Sequence, residues 1–209
     1  MQIERIFYPV ETLGFGKRIG IWTIGCPHAC LNCSNPELWE ENRDKDLPMS
    51  IIFQMLRSIH QPIDGVTITG GEPFQQVDEL AELVSFIHEE ITDDILIYSG
   101  YTLRQLKSWK NENVNRILNT ISVLIDGKYI EEKNDNKPLR GSANQKVHIL
   151  NEKYRERYEL LLKGKRSVQT VFFHDNVIAI GIPMKHTKQR LAEQLSHYGV
   201  QIKQNLENI

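Results

Sequence analysis

Residues 65–90 read GVTITGGEPFQQVDELAELVSFIHEE, and the hydrophobic period changes within that stretch. Gly65–Thr69 is a short β-branched run of the kind that forms a buried strand. From Val77 to Glu90 the apolar residues recur at spacings of three and four, as in Leu80, Leu83, Val84 and Ile87, which predicts a helix. Gly70-Gly71-Glu72-Pro73 supplies the turn between them. A strand, a turn and a helix in this order form the repeating unit of a parallel sheet with helical crossovers.

The same alternation extends in both directions. Further strands are predicted at Ile19–Ile24, Ile95–Tyr98 and Ile121–Ile125, and further helices at Ser50–His60 and Leu103–Asn119, the last broken near Trp109–Asn113. The expected class is α/β. Unusual residues concentrate in the turns after the strands: three cysteines, then GGEP, then Ser99-Gly100-Tyr101, then Asp126-Gly127-Lys128-Tyr129. Ligands bind at the carboxyl ends of parallel strands, so four such loops predict one shared site. Lys128–Lys146 is polar and reads as a loop. Beyond it a helix is expected at Glu152–Leu162, strands at Ser167–Phe173 and Val177–Ile182 around an Asp175-Asn176 turn, and a closing helix at Lys188–Tyr198 ending at Gly199. The expected division is a core over 1–150 and a C-terminal α+β extension over 151–209 packed on it, most simply as a cover for an open sheet edge.

Composition sets the class of partner. The chain has 209 residues, 40% hydrophobic and 25% charged, with a net charge of −2, which suits a soluble domain and gives no reason to expect nucleic acid or an anionic membrane. The opening MQIERIFYPVETLGFG carries charges where a secretory signal needs an apolar centre, so the cytoplasm is expected. Thiols stay reduced there. All three cysteines fall between residues 26 and 33, which suits a clustered cofactor site and not a disulfide framework.

Gly25–Trp39 reads GCPHACLNCSNPELW. Thiolates at C-x3-C-x2-C spacing can reach three irons of one cubane. Iron–sulfur clusters of the ferredoxin kind use four protein thiolates, so three leave one iron open to a substrate. With no fourth cysteine in the chain, a pure electron carrier is disfavoured. A Cys3His zinc site using His28 remains the other inorganic reading, although zinc gives no reason for GGEP. Glu72, acceptor-only when ionised, suits a place near an ammonium group.

These motifs carry a resemblance. The chain resembles the radical S-adenosylmethionine (SAM) superfamily: Cys26, Cys30 and Cys33 match its cluster motif, and Gly70–Pro73 matches its SAM-binding motif. Within it the chain is similar to the small activating enzymes of anaerobic ribonucleotide reductase. That likeness rests on the cysteine loop together with Ser99–Tyr101, Asp126–Tyr129 and Arg140–Gln145. The resemblance implies a partial, open (βα) barrel. It also implies a [4Fe–4S] cluster on Cys26, Cys30 and Cys33, with SAM held near Asn32, Gly70, Gly71, Glu72, Pro73, Ser99, Asp126 and Arg140. The implied reaction forms a 5′-deoxyadenosyl radical from SAM, which takes hydrogen from a glycine of the reductase, with flavodoxin or ferredoxin as electron donor. Asp126 and Arg140 flank the expected mouth and could meet SAM, the partner or each other. The pattern ends near Gln145, so a self-sufficient radical SAM enzyme acting on a small molecule or peptide remains the alternative.

Overall fold

A computed structural model describes residues 1–173 and 176–185, with 187 and 197. The expected closing helix at Lys188–Tyr198, His197 apart, and the hairpin tip at 174–175 lie outside the described residues.

The central sheet has six strands in sequence order. Strands β2 (Arg18–Thr23), β3 (Gly65–Gly70), β4 (Ile95–Ser99) and β5 (Val123–Asp126) are mutually parallel. Antiparallel strands close the two edges, β1 (Ile3–Val10) against β2 and β6 (Lys146–Ile149) against β5. The fold is therefore mixed α/β around a parallel centre, and neither edge strand is among those the sequence predicts.

Helices α1 (Met49–Arg57), α2 (Val77–Glu90), α3 (Leu103–Ser108) and α4 (Glu112–Thr120) all pack on one face of the sheet. Their apolar stripes, including Ile52, Leu83, Ile87 and Ile117, bury against Ile19, Ile21, Ile68 and Ile97. The predicted break between Trp109 and Asn113 is present. Lys110 turns left-handed, and the Asn111 side chain caps α4 by accepting from the Asn113 and Val114 amides.

Helix α5 (Arg155–Leu162) and the hairpin β7 (Val168–Phe173) and β8 (Asn176–Gly181) belong to the extension. They add no strand to either edge of the central sheet, although Gln169 of β7 bonds the Pro9 and Glu11 backbone at the end of β1. The hairpin forms a separate two-stranded sheet, and its Val171, Ile178 and Ile180 pack with Trp22, Ile24 and Tyr98. Tyr158 of α5 packs with Leu96, Val123 and Ile125. These are the side chains that alternate to the opposite face from the helices. A parallel sheet needs both faces covered, and here the extension supplies the second layer.

Candidate functional site

The chain leaves β2 at Gly25, whose φ of +92° is one that glycine adopts freely. The Gly25 amide donates to Leu38 O at 2.9 Å and the Cys26 amide to Trp39 O at 2.9 Å, so both ends of the cysteine loop are tied together. Within it, Ala29 and Asn32 have positive φ, and each immediately precedes a cysteine. These two turns bring the backbone round so that the Cys33 amide donates to Cys30 O at 3.1 Å. All three cysteines are half-buried.

Cys33 Sγ accepts from the Asn35 amide at 3.4 Å, and the backbone N–H groups of His28 and Tyr129 favour the thiolates of Cys26 and Cys30. Burial pushes the Cys26 and Cys30 thiols up, and these amides oppose it by favouring the thiolate. Amide donors at sulfur are what an iron–sulfur ligand set needs.

A mononuclear site is not assembled. Among the described residues no three His, Cys, Asp or Glu side chains are grouped to hold one ion, whereas a cubane binds each thiolate to its own iron. His28, the fourth residue of the zinc reading, turns its Nε2 to Glu72 Oε2 at 3.0 Å.

Glu72 joins the loops. Its carboxylate is 1% exposed and has four donors: His28 Nε2 from the loop after β2, Phe74 N from its own loop, and Ser99 Oγ and Gly100 N from the loop after β4. The Gly100 contact is 2.6 Å and the Ser99 contact 2.9 Å. The paired glycines before it serve the same stitching. A Cβ on Gly70 would strike the Thr23 backbone, and one on Gly71 would strike Gly25 O. With neither Cβ present, the Gly71 amide reaches Thr23 O at 2.8 Å and the Glu72 amide reaches Gly25 O at 2.7 Å. Of these two amides, that of Gly71 is thus bonded to the last residue of β2 and that of Glu72 to the first residue of the cysteine loop, so neither is open to a ligand.

The other expected site residues fall into two groups. Ser99 bonds Glu72 and accepts from the Tyr101 amide, while Thr102 caps α3 in a capping box with Gln105. Asp126, 3% exposed, accepts from the Leu103 amide at 2.6 Å and the Lys146 amide at 3.2 Å, and lies 2.9 Å from His148 Nε2. It thus pins the start of α3 and of β6 to the end of β5. Arg140 pairs with Asp135, so Asp126 and Arg140 do not meet. Asn32 is exposed on the cysteine loop. Trp22 is a core residue under the Arg5 guanidinium.

The Arg140–Gln145 segment is a brace. Gln145 Oε1 accepts from the Gly141 and Ser142 amides while its Nε2 donates to Gly127 O at 2.7 Å. Asn144 donates to Lys128 O at 2.8 Å.

A cleft of about 570 Å³ opens between the loops, a size that suits a drug-sized ligand. Pro27 and His28 line it from the cysteine loop, Gly100, Tyr101 and Thr102 from the third loop, and Gly127 and Lys128 from the fourth, with Gln105 and Asn144. Two residues here carry more of the site than their sequence signal suggests. His28 reads as a loop residue, yet it packs on Gly100 and edge-on to Tyr101, 4.5 Å between centroids. Tyr129 reads only as part of a motif, yet its amide reaches Cys30. For His28 the one available signal is a polar residue between two cysteines with a lone acid in the next strand-end loop.

A family model described as "4Fe-4S single cluster domain" matches residues 12–148. Several curated proteins are similar over most of their length, each named anaerobic ribonucleoside-triphosphate reductase-activating protein. The one from Salmonella typhi is 34% identical over 154 residues, covering 69% of this chain and 96% of the relative. That from Pasteurella multocida is 36% identical over 151 residues, covering 68% and 94%. That from Enterobacteria phage T4 is 30% identical over 152 residues, covering 70% and 93%.

Proposed function

We propose, from the premise that this chain belongs to the 4Fe-4S single cluster domain family and to the anaerobic ribonucleoside-triphosphate reductase-activating proteins, that it is a radical SAM enzyme that installs a glycyl radical on such a reductase. Its cofactors are a [4Fe–4S] cluster and SAM. One observation carries the reading: the three-cysteine loop is sewn to the GGEP loop through Glu72 and the two glycines, at the carboxyl end of a parallel sheet and beside a cleft.

Held there, a [4Fe–4S] cluster would supply the electron for reductive cleavage of the SAM sulfonium bond, and the 5′-deoxyadenosyl radical so released would take hydrogen from a glycine of the reductase. In this reading Cys26, Cys30 and Cys33 hold three irons, and the amides of His28, Tyr129 and Asn35 stabilise their thiolates. Gly70, Gly71, Glu72 and Pro73 set the distance between the cluster loop and the SAM pocket. Ser99 and Asp126 fix the two further loops that bound it. Asn32, exposed beside Cys33, and Arg140, paired with Asp135, complete the proposed set at its margin. The His28 and Tyr101 rings, edge to face at 4.5 Å, would form one wall of the SAM pocket.

The proposed architecture is a partial, open (βα) barrel, with 1–150 as the radical SAM core and 151–209 as a C-terminal extension packed on it, of which α5 and the β7–β8 hairpin line the second face of the sheet. A flavodoxin or ferredoxin is the proposed electron donor. Among the described residues no helix is long and apolar enough to cross a membrane, and the proposed location is the cytoplasm.

Anaerobically reconstituted protein is expected to release 5′-deoxyadenosine from SAM when a reductant is added, measured by chromatography of the quenched reaction. Loaded protein that binds SAM but never yields that product would sink the radical reading. Product formed with no transfer to a cognate reductase would favour the self-sufficient enzyme.

A further inference from the structure

The family model ends at residue 148, and the relatives named above cover 93–96% of their own length but only 68–70% of this chain. Arg166, between α5 and β7, lies beyond the matched segment. It is 9% exposed. Among the described residues it forms no ion pair, and its guanidinium is instead surrounded by neutral oxygens. It donates to Lys137 O at 3.0 Å, Asn134 Oδ1 at 3.1 Å, Pro183 O at 2.8 Å, Gly141 O at 3.5 Å and also Arg140 O. An arginine that gathers carbonyls from a loop with its rigid fork of donors acts by geometry.

The loop so gathered leads to the cysteines by two routes. Asn134, whose Oδ1 accepts from Arg166, donates through Nδ2 to the Tyr129 hydroxyl at 3.2 Å. Gly141, whose carbonyl accepts from Arg166, lies flat against the Tyr129 ring; a Cβ there would come within 2.8 Å of the ring. Tyr129 is thereby held at its ring and at its hydroxyl, which also donates to Glu131 Oε2 at 3.2 Å, and its backbone N–H is the group that favours the Cys30 thiolate.

We propose that Arg166 is a positioning residue for the cluster: the extension, through Arg166, Asn134 and Gly141, holds the Tyr129 amide against the Cys30 sulfur. The proposal rests on the reading of Cys26, Cys30 and Cys33 as cluster ligands. It gives the extension a role in the site beyond covering the second face of the sheet. An N–H···S hydrogen bond favours the reduced, more negative cluster, so loosening it lowers the midpoint potential.

The test is a redox titration of the reconstituted cluster, followed by electron paramagnetic resonance, in wild type, Arg166→Gln, Arg166→Lys, Asn134→Ala and the Arg166→Gln/Asn134→Ala double variant. Arg166→Gln and Asn134→Ala are each expected to lower the midpoint potential, with the double variant shifting less than the sum, because both act on Tyr129. Activity of Arg166→Gln is expected to fall by about ten- to a hundredfold, as for other outer-shell partners of metal ligands. Arg166→Lys keeps the charge but not the fork and is expected to resemble Arg166→Gln. An unchanged potential in Arg166→Gln, strictly additive shifts, or full recovery in Arg166→Lys would each overturn the proposal. If Arg166→Gln does not fold, Asn134→Ala alone decides by whether its potential moves. A wild-type protein that takes up no cluster would count against the underlying reading, and is distinguishable from a cluster whose potential ignores Arg166.

Discussion

Alanine at any one of Cys26, Cys30 or Cys33 is expected to bring SAM cleavage down to the uncatalysed background while leaving the metal-free fold intact. The two halves of this expectation have separate causes. The three side chains sit half-buried on a loop outside the sheet, and none belongs to the hydrophobic clusters that hold the core. Losing a sulfur therefore costs little burial. The loop itself is closed by Gly25–Leu38 and Cys26–Trp39 backbone hydrogen bonds that no side-chain change removes. Function is different, because a cubane with an open iron has three thiolate anchors and each holds its own iron. With two, a second iron is open and the cluster is readily lost. Iron per chain should fall well below about four, the content of one cubane, and the thermal melt of the metal-free variants should match wild type. Full cleavage by any of the three variants would remove the foundation of the account.

The second large effect is expected at Glu72. Glutamine has the same shape, but one of its two polar ends donates. In the structure Oε1 accepts from Phe74 N and Ser99 Oγ, and Oε2 from His28 Nε2 and Gly100 N. The serine hydroxyl can rotate and the imidazole can change tautomer, but neither backbone amide can become an acceptor. Whichever way the glutamine amide turns, one buried N–H faces another donor, at a cost of about 1–3 kcal/mol. Three strand-end loops then lose their common tie. Displacements of about 1 Å in a reacting geometry cost about 10²-fold in rate, so Glu72→Gln should depress SAM cleavage by that order and lower the stability of the metal-free chain. Glu72→Ala, which strands all four donors, should do both more severely. If Glu72→Gln melts and turns over like wild type, the carboxylate is not the tie that its contacts indicate.

How far the sequence carried the reading follows from the range of each interaction. The parallel strands, α2 and the break at Lys110–Asn111 were legible because period and capping are local: Asn111 needs only its own next turn to act as a cap. The cysteine loop and GGEP were legible because their chemistry is written in adjacent residues. Strand β1 was not, since an edge strand with Glu4 and Arg5 near its start and Pro9 near its end lacks the continuous apolar run of its buried neighbours. Strand β6 is four residues at the end of a polar segment, and it acquires its identity only by pairing with β5. Tertiary contact also changed the meaning of residues that the sequence singles out. The GGEP glycines invite a ligand on paper but give room to the cysteine loop in the fold. Glu72 gathers donors from positions 28, 74, 99 and 100, a set that no window of sequence brings together. Asp126 and Arg140, candidates for each other, each find a different partner. The described elements of the extension, expected at an edge, pack on the second face because Trp22, Leu96, Tyr98 and Val123 alternate towards it. That demand was present in the strands, but nothing local says which segment meets it.

Radical transfer to an anaerobic ribonucleotide reductase is the step on which the proposed function stands or falls. Its most direct test mixes the anaerobically reconstituted, reduced protein with SAM and the cognate reductase and records the electron paramagnetic resonance spectrum. A glycyl radical signal is expected on the reductase, requiring SAM and absent with Cys30→Ala. A reductase that stays without that signal, while SAM is being cleaved in the same tube, would contradict it.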